Sequence, residues 1–498
     1  MSTAEIASAT DFPKQNRIFL AFSPIGCYNL PENQGGIIMK LVYDIHDRPK
    51  FPRLLIFALQ QVLAILAATI AVPSIIGNGM SQSAALFGAG AGTLVYQILT
   101  RFKSPVYLGS SFAFLGSMGA AFAGAASVSA GHVGLIIGAV LAGLVYVAIA
   151  AVVKFVGVQW IDRLMPPAVI GPTVSIIGLS LAGNAIGDMR TGKVMVEQVT
   201  QVIQDGRIVD SVSFVSGCSP YVALICGLVT LFSVITFSVY GKKMVKLIPF
   251  ILGILVGYVT AAVFTAIGIA TDNIALQVID FSVFRDMGFF AIPDFTFLHL
   301  GKGLRDVTPA FIATVAVAYV PVAFVVFAEH IADHKNLSSV IGRDLLAEPG
   351  LHRSLLGDGI GSMAGSLFGG CPNTTYGESV GCVAITRNAS VITITATAVM
   401  CIAISFFGPF VTFLSSIPNC VMGGVCTALY GFIAVSGLKM VQKVDLNQSR
   451  NIFVVSVILI AGIGNLTVSF GKVTLTAIAC ALILGILTNI LVARAKEE

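Results

Sequence analysis

Residues 371–381 read Cys371-Pro372-Asn373-Thr374-Thr375-Tyr376-Gly377-Glu378-Ser379-Val380-Gly381, and this stretch decides the fold of the chain. It places turn-forming residues and a carboxylate between two long apolar segments. In hydrocarbon, a backbone that leaves the helix finds no water, so such a break survives only where it is buried in protein or lines a cavity. A carboxylate at that depth costs about 2.5–3.5 kcal/mol on insertion scales. Glu378 therefore marks a functional site, and broken helices of this kind are typical of mid-membrane binding sites.

The composition is that of a polytopic membrane protein. The chain has 498 residues, of which 56% are hydrophobic and 11% charged, and its mean hydropathy is +0.92. A soluble domain carries about 25% charged residues. With about 20 residues per span, the length leaves room for about 12–14 spans. The basic residues behind the net charge of +5 lie in short loops beside apolar segments, which indicates membrane topology and a lipid partner rather than nucleic acid.

The cysteines and the N-terminus carry little chemistry. The 9 cysteines have no C-x-x-C or C-x-x-H spacing, so we predict no disulfide, no metal site and no cofactor. Residues 1–38 show neither sustained periodicity nor the pattern of a signal peptide. Either Met39 is the natural start or residues 1–38 form a flexible tail. We assign residues 1–50 as an N-terminal cytoplasmic tail.

Apolar runs predict an all-α fold of fourteen membrane segments in two sets of seven. Residues 51–270 form the first set, 271–305 an extracellular link and 306–498 the second set. The predicted helices are 53–77, 84–100, 105–124, 132–157, 166–187, 218–240, 244–270, 306–333, 354–370, 377–387, 389–413, 418–440, 450–468 and 472–493.

Loop charge gives the predicted orientation. Alternate loops are basic, as at Arg101/Lys103, Lys154/Arg163 and Lys335/Arg343, whereas the link at 271–305 is rich in aspartate. Basic loops stay on the cytoplasmic side of a plasma membrane, so both termini are predicted to be cytoplasmic.

The two halves echo each other. Pro166 to Gly171 and Pro418 to Gly423 share the pattern P-x-x-V-aliphatic-G, and the stretch from Pro105 resembles the stretch from Pro372. Each half has an odd number of segments, so the second half enters from the opposite side and the repeat is inverted. In segments 3 and 10, a proline and then a glycine flank small or β-prone residues. Two such pieces meeting mid-membrane can pair as short strands and leave N–H donors for a ligand; the alternative is a pair of kinks that only help helices to pack.

Glu378 has an acidic neighbour in segment 8. Asp333 lies about 40° from Glu329 around a helix, so the two carboxylates share a face. His334 and Lys335 favour a plainer interpretation, as interfacial residues at the end of the span. Acidic side chains that face one cavity suit a ligand with N–H donors, and they also suit proton coupling.

At these residues the chain resembles the nucleobase–ascorbate transporter family, and most of all its bacterial uracil and uracil-xanthine permeases, from about Pro52 to the C-terminus. The resemblance rests on Ala328-Glu329-His330, on Pro349-Gly350-Leu351-His352-Arg353-Ser354, on PNTTYGESVGCVAITR from Pro372 to Arg387, on Tyr107 to Phe114 and on Val421 to Gly424. It implies a symporter rather than an enzyme, with fourteen spans in inverted repeats that form a core and a gate domain. Members couple transport to protons or sodium and are often homodimers.

The resemblance also implies roles for individual residues. Glu329 and Glu378 would accept hydrogen bonds from the ring N–H groups of a nucleobase, and backbone N–H groups near Phe112 and Gly377 would meet its carbonyls. Phe112 would pack against the ring. Proton coupling by Glu329 and Asp333 is predicted from their shared helix face and not from the resemblance. The residues that would close the pocket are Ala68, Tyr376 and Tyr430.

Two departures leave the substrate open between uracil and xanthine or uric acid. Asp333 stands where uracil permeases typically have His, and Ser379 stands where Asn is usual. The run from Pro372 to Glu378 favours uracil. An anion carrier of the same architecture is a further alternative, although anions prefer donors to carboxylates. An intramembrane enzyme with His330 and His334 as metal ligands is another, but neither His shares the face of Glu329 and Asp333.

Overall fold

The computed structural model describes residues 41–157, 159–204, 207–242, 244–285, 287–470 and 473–493. The predicted tail at 1–38 lies outside these residues. The longer helices of the first half are α1 (Phe51–Ile76), α2 (Gln82–Leu99), α3 (Leu115–Ala123), α4 (Val128–Val156), α5 (Gln159–Leu164), α6 (Pro167–Ser180), α7 (Ala182–Asp188), α8 (Pro220–Tyr240), α9 (Met244–Leu247) and α10 (Pro249–Ala270). Those that follow are α11 (Leu300–Gly303), α12 (Pro309–Ile341), α13 (Leu351–Gly369), α14 (Gly377–Thr386), α15 (Val391–Ile404), α16 (Gly408–Ser416), α17 (Asn419–Val441), α18 (Ser449–Ile463) and α19 (Ala477–Val492).

The described residues also contain six strands, four of them three residues long. They are β1 (Leu108–Ser110), β2 (Met195–Gln204), β3 (Arg207–Ser216), β4 (Asn373–Thr375), β5 (Val468–Phe470) and β6 (Val473–Leu475), and a 3₁₀ turn at Phe112–Phe114 leads from β1 into α3.

The chain is mostly helical, and each of the fourteen predicted ranges contains helix. Within the described residues, 7 helices are long and apolar enough to cross a membrane. Shorter apolar helices account for several other predicted segments, so the count of fourteen spans stays a prediction. The seven helices are Phe51–Ile76, Val128–Val156, Pro167–Asp188, Pro220–Tyr240, Pro249–Ala270, Pro309–Ile341 and Asn419–Val441.

Strands β1 and β4 are the short strands predicted for segments 3 and 10, and they pair antiparallel. Leu108 pairs with Thr375 and Ser110 with Asn373, and every residue of both strands is buried. The ladder is extended where the Ser111 N–H donates to the Pro372 carbonyl at 2.9 Å. Each non-helical segment thus supplies hydrogen-bond partners to the other, as an environment without water requires.

The all-α prediction is wrong in one respect, because the connection at 188–217 is not a plain loop. Strands β2 and β3 pair antiparallel along ten residues each. Asp205-Gly206 stands between the two strands in the sequence, and Asp-Gly between β-prone runs is a strong hairpin signal. A second small hairpin joins β5 to β6.

The helices pack in two groups, and each group takes helices from both halves of the chain. The first group contains α1 to α4 with α12 to α15, and the second contains α6 to α8 and α10 with α17 to α19. The groups meet where α12 contacts α6 and α19, and where α1 contacts α10 and α17.

The repeated motif P-x-x-V-aliphatic-G opens α6 and α17, and these two helices pack against each other. Gly171 faces Gly437, and Gly178 faces Ala434, so the numbering rises along one helix as it falls along the other. The pair is therefore antiparallel. Glycines allow the backbones to approach closely, as small residues do in membrane helix packing. The matched strands β1 and β4 are also antiparallel, whereas the inverted repeat of the two halves stays a prediction.

We predict that Gly109→Ala destabilises the protein. A Cβ at Gly109 would lie 2.5 Å from ring atoms of Tyr376, so strand β1 or the ring must move. Overpacking of this kind costs about 1–3 kcal/mol, which lowers the melting temperature by several degrees. Gly119→Ala is the control, because a Cβ there meets nothing within 4 Å. Equal melting temperatures for the two variants, measured on purified protein, would contradict the prediction.

Candidate functional site

The candidate site lies where β4 gives way to α14. Tyr376 is the extended N-cap residue of α14, and Glu378 stands in the first turn of that helix. The N-terminal end of a helix carries partial positive charge and unpaired N–H groups, which favour a carboxylate. Glu378 and Gly377 are half-buried, whereas the residues from Cys371 to Tyr376 are buried. The Glu378 carboxylate is thus accessible where the non-helical segment ends and α14 begins.

Helix α12 supplies two further carboxyl groups. Glu329 is exposed although its neighbours Ala328 and His330 are buried, and it lies within a helix of 33 residues. Its side chain is therefore accessible although the residues beside it are packed. Asp333, one turn further on, is 9% exposed and accepts a hydrogen bond from Thr375 Oγ1 at 2.7 Å. This bond ties α12 to strand β4.

The three carboxyl groups converge. Glu329 and Asp333 lie one turn apart on α12, and the bond from Thr375 places Asp333 beside the start of α14, where Glu378 stands. A Cβ built on Gly377 would lie 3.9 Å from Asp333 Oδ1, so α12 closely approaches the start of α14. The structure brings together the acidic residues that the sequence predicted. All three come from the second half of the chain.

One aromatic contact links the two packing groups, and another aromatic ring lies against strand β1. Phe112, in the 3₁₀ turn after β1, is half-buried, and its ring centroid lies 6.1 Å from that of Tyr430 on α17 with an interplanar angle of 80°. The Tyr376 hydroxyl donates to the Ser110 carbonyl at 2.7 Å, which fixes its ring against β1. Ala68 is buried in the same apolar cluster as Tyr376 and Tyr430. The Phe112–Tyr430 contact crosses from one packing group to the other.

Sequence reasoning missed Gln61. This residue of α1 is 3% exposed, and its Nε2 donates to the Ser379 carbonyl at 3.4 Å and also to Ser379 Oγ. It fastens α1 to α14 beside Glu378. The available signal was an amide side chain inside an apolar span, since a buried amide needs a partner.

A buried polar network behind Glu329 was missed as well. His330 Nδ1 lies 2.7 Å from Asp358 Oδ2, and His330 Nε2 lies 2.9 Å from Ser354 Oγ. All three side chains are almost fully buried. The network joins α12 to α13, so it holds the helix that carries Glu329. An aspartate within the apolar segment at 354–370 was the signal for it.

The interfacial interpretation of His334 is wrong. Helix α12 continues to Ile341, and His334 is fully buried with its Nε2 2.8 Å from the Tyr96 hydroxyl. Lys335 is exposed, but it does not end the helix. Both histidines are thus hydrogen-bonded to protein groups. Among the residues that the structure describes, no group of three or more His, Cys, Asp or Glu could hold a metal ion.

Comparison with known proteins gives consistent findings. The sequence model of a family described as "Permease family" matches residues 52–470. The chain is 38% identical over 455 residues to the uracil permease of Bacillus caldolyticus, which covers 91% of this chain and 95% of that protein. It is 35% identical over 446 residues to the uracil permease of Bacillus subtilis, which covers 89% of this chain and 93% of the relative.

A solved structure shares the fold. The transmembrane domain of a cyanobacterium bicarbonate transporter, BicA, superposes with a TM-score of 0.55 at 15% identity. The match covers 91% of this chain and 100% of that domain. At this identity the likeness concerns architecture alone. Together with the apolar helices, these comparisons establish a multi-pass membrane protein whose relatives are named permeases.

We predict that Thr375→Val destabilises the protein through Asp333. The valine keeps the shape but removes the hydroxyl that donates to the Asp333 carboxyl group at 2.7 Å. Hydrogen bonds to charged groups contribute about 1.5–3 kcal/mol, so unfolding should occur at a lower denaturant concentration. Thr397→Val is the matched control, because that buried hydroxyl only donates to the Thr393 carbonyl of its own helix. If Thr397→Val lowers stability as much as Thr375→Val, the hydrogen bond to Asp333 contributes no more than an ordinary bond within a helix.

Proposed function

The chain belongs to this uracil permease family, and from that premise we propose that it imports uracil across the plasma membrane in symport with protons. The single observation that carries the proposal is the close approach of α12, with Glu329 and Asp333 one turn apart, to the start of α14, where Glu378 follows a broken membrane segment. Uptake by the purified protein in proteoliposomes with an imposed pH gradient tests it.

The chemistry of the ligand matches the chemistry of the site. Uracil offers two ring N–H donors and two carbonyl acceptors. Glu329 and Glu378 accept from the N–H groups. The backbone N–H groups of Phe112 and Gly377 stand in the first turns of helices, where no intrahelical acceptor exists, and they donate to the carbonyls. A site built from such paired polar groups rejects bases that lack the matching donors, because its own polar groups would then stay unpaired.

The surrounding rings give the site its shape and a route to opening. Phe112 packs on the base, and Tyr376, Ala68 and Tyr430 close the pocket. The first packing group acts as the core domain that holds the base, and the second acts as the gate. The contact between Phe112 and Tyr430 crosses the boundary between them, so movement of the gate against the core opens that side of the pocket.

Proton coupling follows from the crowding of acidic groups. Three ionised carboxyl groups in one site repel each other, and the repulsion is strong where water is scarce. A proton on Asp333 or Glu329 relieves this repulsion, and the remaining carboxylates stay free to accept from the base. Binding of the proton therefore raises the affinity for the base, and binding of the base raises the affinity for the proton. Dissociation of either one is unfavourable while the other remains bound.

The alternatives fit less well. The relatives at 38% and 35% identity are named uracil permeases, which favours uracil over xanthine or uric acid despite Asp333 and Ser379. Ser379 is bonded to Gln61 and so has a role within the protein. An anion carrier would meet carboxylates instead of donors. From the basic loops we propose that both termini lie in the cytoplasm.

We expect Glu378→Gln to reduce uracil uptake strongly by weakening the binding of the base. The amide replaces one carboxylate oxygen with an N–H₂ group, which faces the ring N–H of uracil as a second donor. Losing a charged acceptor costs about 1.5–3 kcal/mol, or roughly 10- to 150-fold in affinity. Radiolabelled uracil uptake driven by a pH gradient measures it.

Glu348→Gln is the matched control for this variant. Glu348 is exposed outside the spans, and its hydrogen bond from Lys103 at 2.5 Å lowers the pKa of its carboxyl group. It should transport uracil like the wild type. Normal transport by Glu378→Gln would remove Glu378 from the site.

We expect Asp333→Asn to uncouple uracil transport from the proton gradient. Asparagine keeps an oxygen for the Thr375 hydroxyl but cannot take up a proton at neutral pH. Exchange of external for internal uracil should continue, whereas accumulation driven by a pH gradient should fall at least tenfold. If the variant still accumulates uracil, Asp333 is not the coupling group; if wild-type accumulation ignores the gradient, symport with protons is wrong.

A further inference from the structure

The segment just before α1 forms backbone hydrogen bonds with the turn that follows α14. We name residues 41–47 the N-terminal strap. Tyr43 forms a parallel bridge with Asn388, so the strap runs beside this turn as a short strand would. The backbone bonds are Val42 N–H to Arg387 O at 2.8 Å, Ala389 N–H to Tyr43 O at 2.9 Å and Val391 N–H to Ile45 O at 3.0 Å.

The strap inserts one apolar side chain into the protein. Ile45 is 4% exposed, whereas Val42, three residues earlier, is 54% exposed. Ile45 belongs to a hydrophobic cluster that draws on both helices of the candidate site. Its members include Leu337 and Ile341 of α12, Val380 and Val383 of α14, and Leu108 of β1.

Polar contacts fasten the strap at further points. Asp44 forms an ion pair with Arg343, which follows the end of α12. The Ser390 hydroxyl donates to the Asp47 carbonyl at 2.7 Å. The Tyr43 ring packs edge-on against Phe57 of α1 at 5.9 Å. The strap therefore contacts the ends of three helices that border the site.

The length of α14 makes these contacts consequential. The helix has 10 residues and is about 15 Å long. Glu378 stands in its first turn, and its C-cap is Arg387, whose carbonyl accepts from the strap. Strand β4 holds one end of α14 through its pairing with β1, and the strap holds the other. A short helix fixed at both ends cannot tilt or slide.

We propose that the N-terminal strap is a positioning element for the substrate site, with Ile45 as its positioning residue. As a member of the hydrophobic cluster that α12 and α14 share, Ile45 sets the separation of Glu329 and Glu378 and so the affinity for the base. The choice of uracil as ligand rests on the proposed function. The expected effect of the strap on the rigidity of α14 does not depend on it.

Two measurements on Ile45→Ala in the full-length protein in nanodiscs test the proposal. Equilibrium binding of radiolabelled uracil should weaken about tenfold, and the loss of transport should lie in KM rather than in kcat. Amide hydrogen exchange should rise in residues 377–386, because α14 loses its fixed end. The second readout needs no ligand.

Two variants serve as controls. Val42→Ala removes methyl groups from an exposed side chain of the same strap and should match the wild type in both measurements. Ile45→Val keeps most of the buried side chain and should restore uracil affinity to within about twofold. A merely structural role would lower the melting temperature without changing affinity or the exchange of α14 relative to other core helices.

The outcomes separate the two proposals. Wild-type affinity and unchanged exchange of α14 in Ile45→Ala overturn the positioning role, as does equal damage by Val42→Ala. Should wild-type protein fail to bind uracil, the proposed function is wrong and the exchange measurement still decides the role of the strap. If Ile45→Ala does not fold, Asp44→Asn takes its place, because its ion pair is exposed. That variant should raise the dissociation constant about threefold and also raise exchange in α14, and no change in either would overturn the proposal.

Discussion

The pairing of β1 with β4 is the interaction on which the rest of the structure depends. Two segments leave the helix at a depth where unpaired backbone groups would cost several kcal/mol each. Each supplies partners to the other, with Leu108 opposite Thr375 and Ser110 opposite Asn373. Because the strands are satisfied in this way, the helices beyond them can begin inside the protein. One of these helices is α14, and Glu378 stands in its first turn.

The acidic side chains are held by polar groups behind and beside them. Asp333 accepts from Thr375, Gln61 braces Ser379, and His330 joins Asp358. Each contact connects two different elements, so the carboxyl groups are placed by several helices at once. This arrangement suits a carrier, since a site that is rigid within one packing group can be opened and closed by movement of the other.

Much of the site could be predicted from the sequence. A carboxylate next to proline, glycine and β-prone residues in an apolar segment has few physical explanations, and Glu329 with Asp333 repeated the signal. The residues Phe112, Tyr376 and Tyr430 followed from resemblance alone, and the structure places them together without testing their roles. The hairpin at 195–216 was missed although Asp205-Gly206 announced it, and His334 was misjudged because its position near the charged end of α12 resembled an interface.

The sequence by itself determined the class of protein, the approximate helices, the two broken segments and the family, because hydropathy, turn residues and contiguous motifs are local properties of the chain. Only the tertiary structure decided which distant residues meet. Gln61 reaches Ser379 across 318 positions, and Asp44 reaches Arg343 across 299. A buried amide or an apolar side chain requires a partner, but nothing in its own neighbourhood of the sequence says which one. That choice is made by packing, when α1, α12 and α14 come together around the strands.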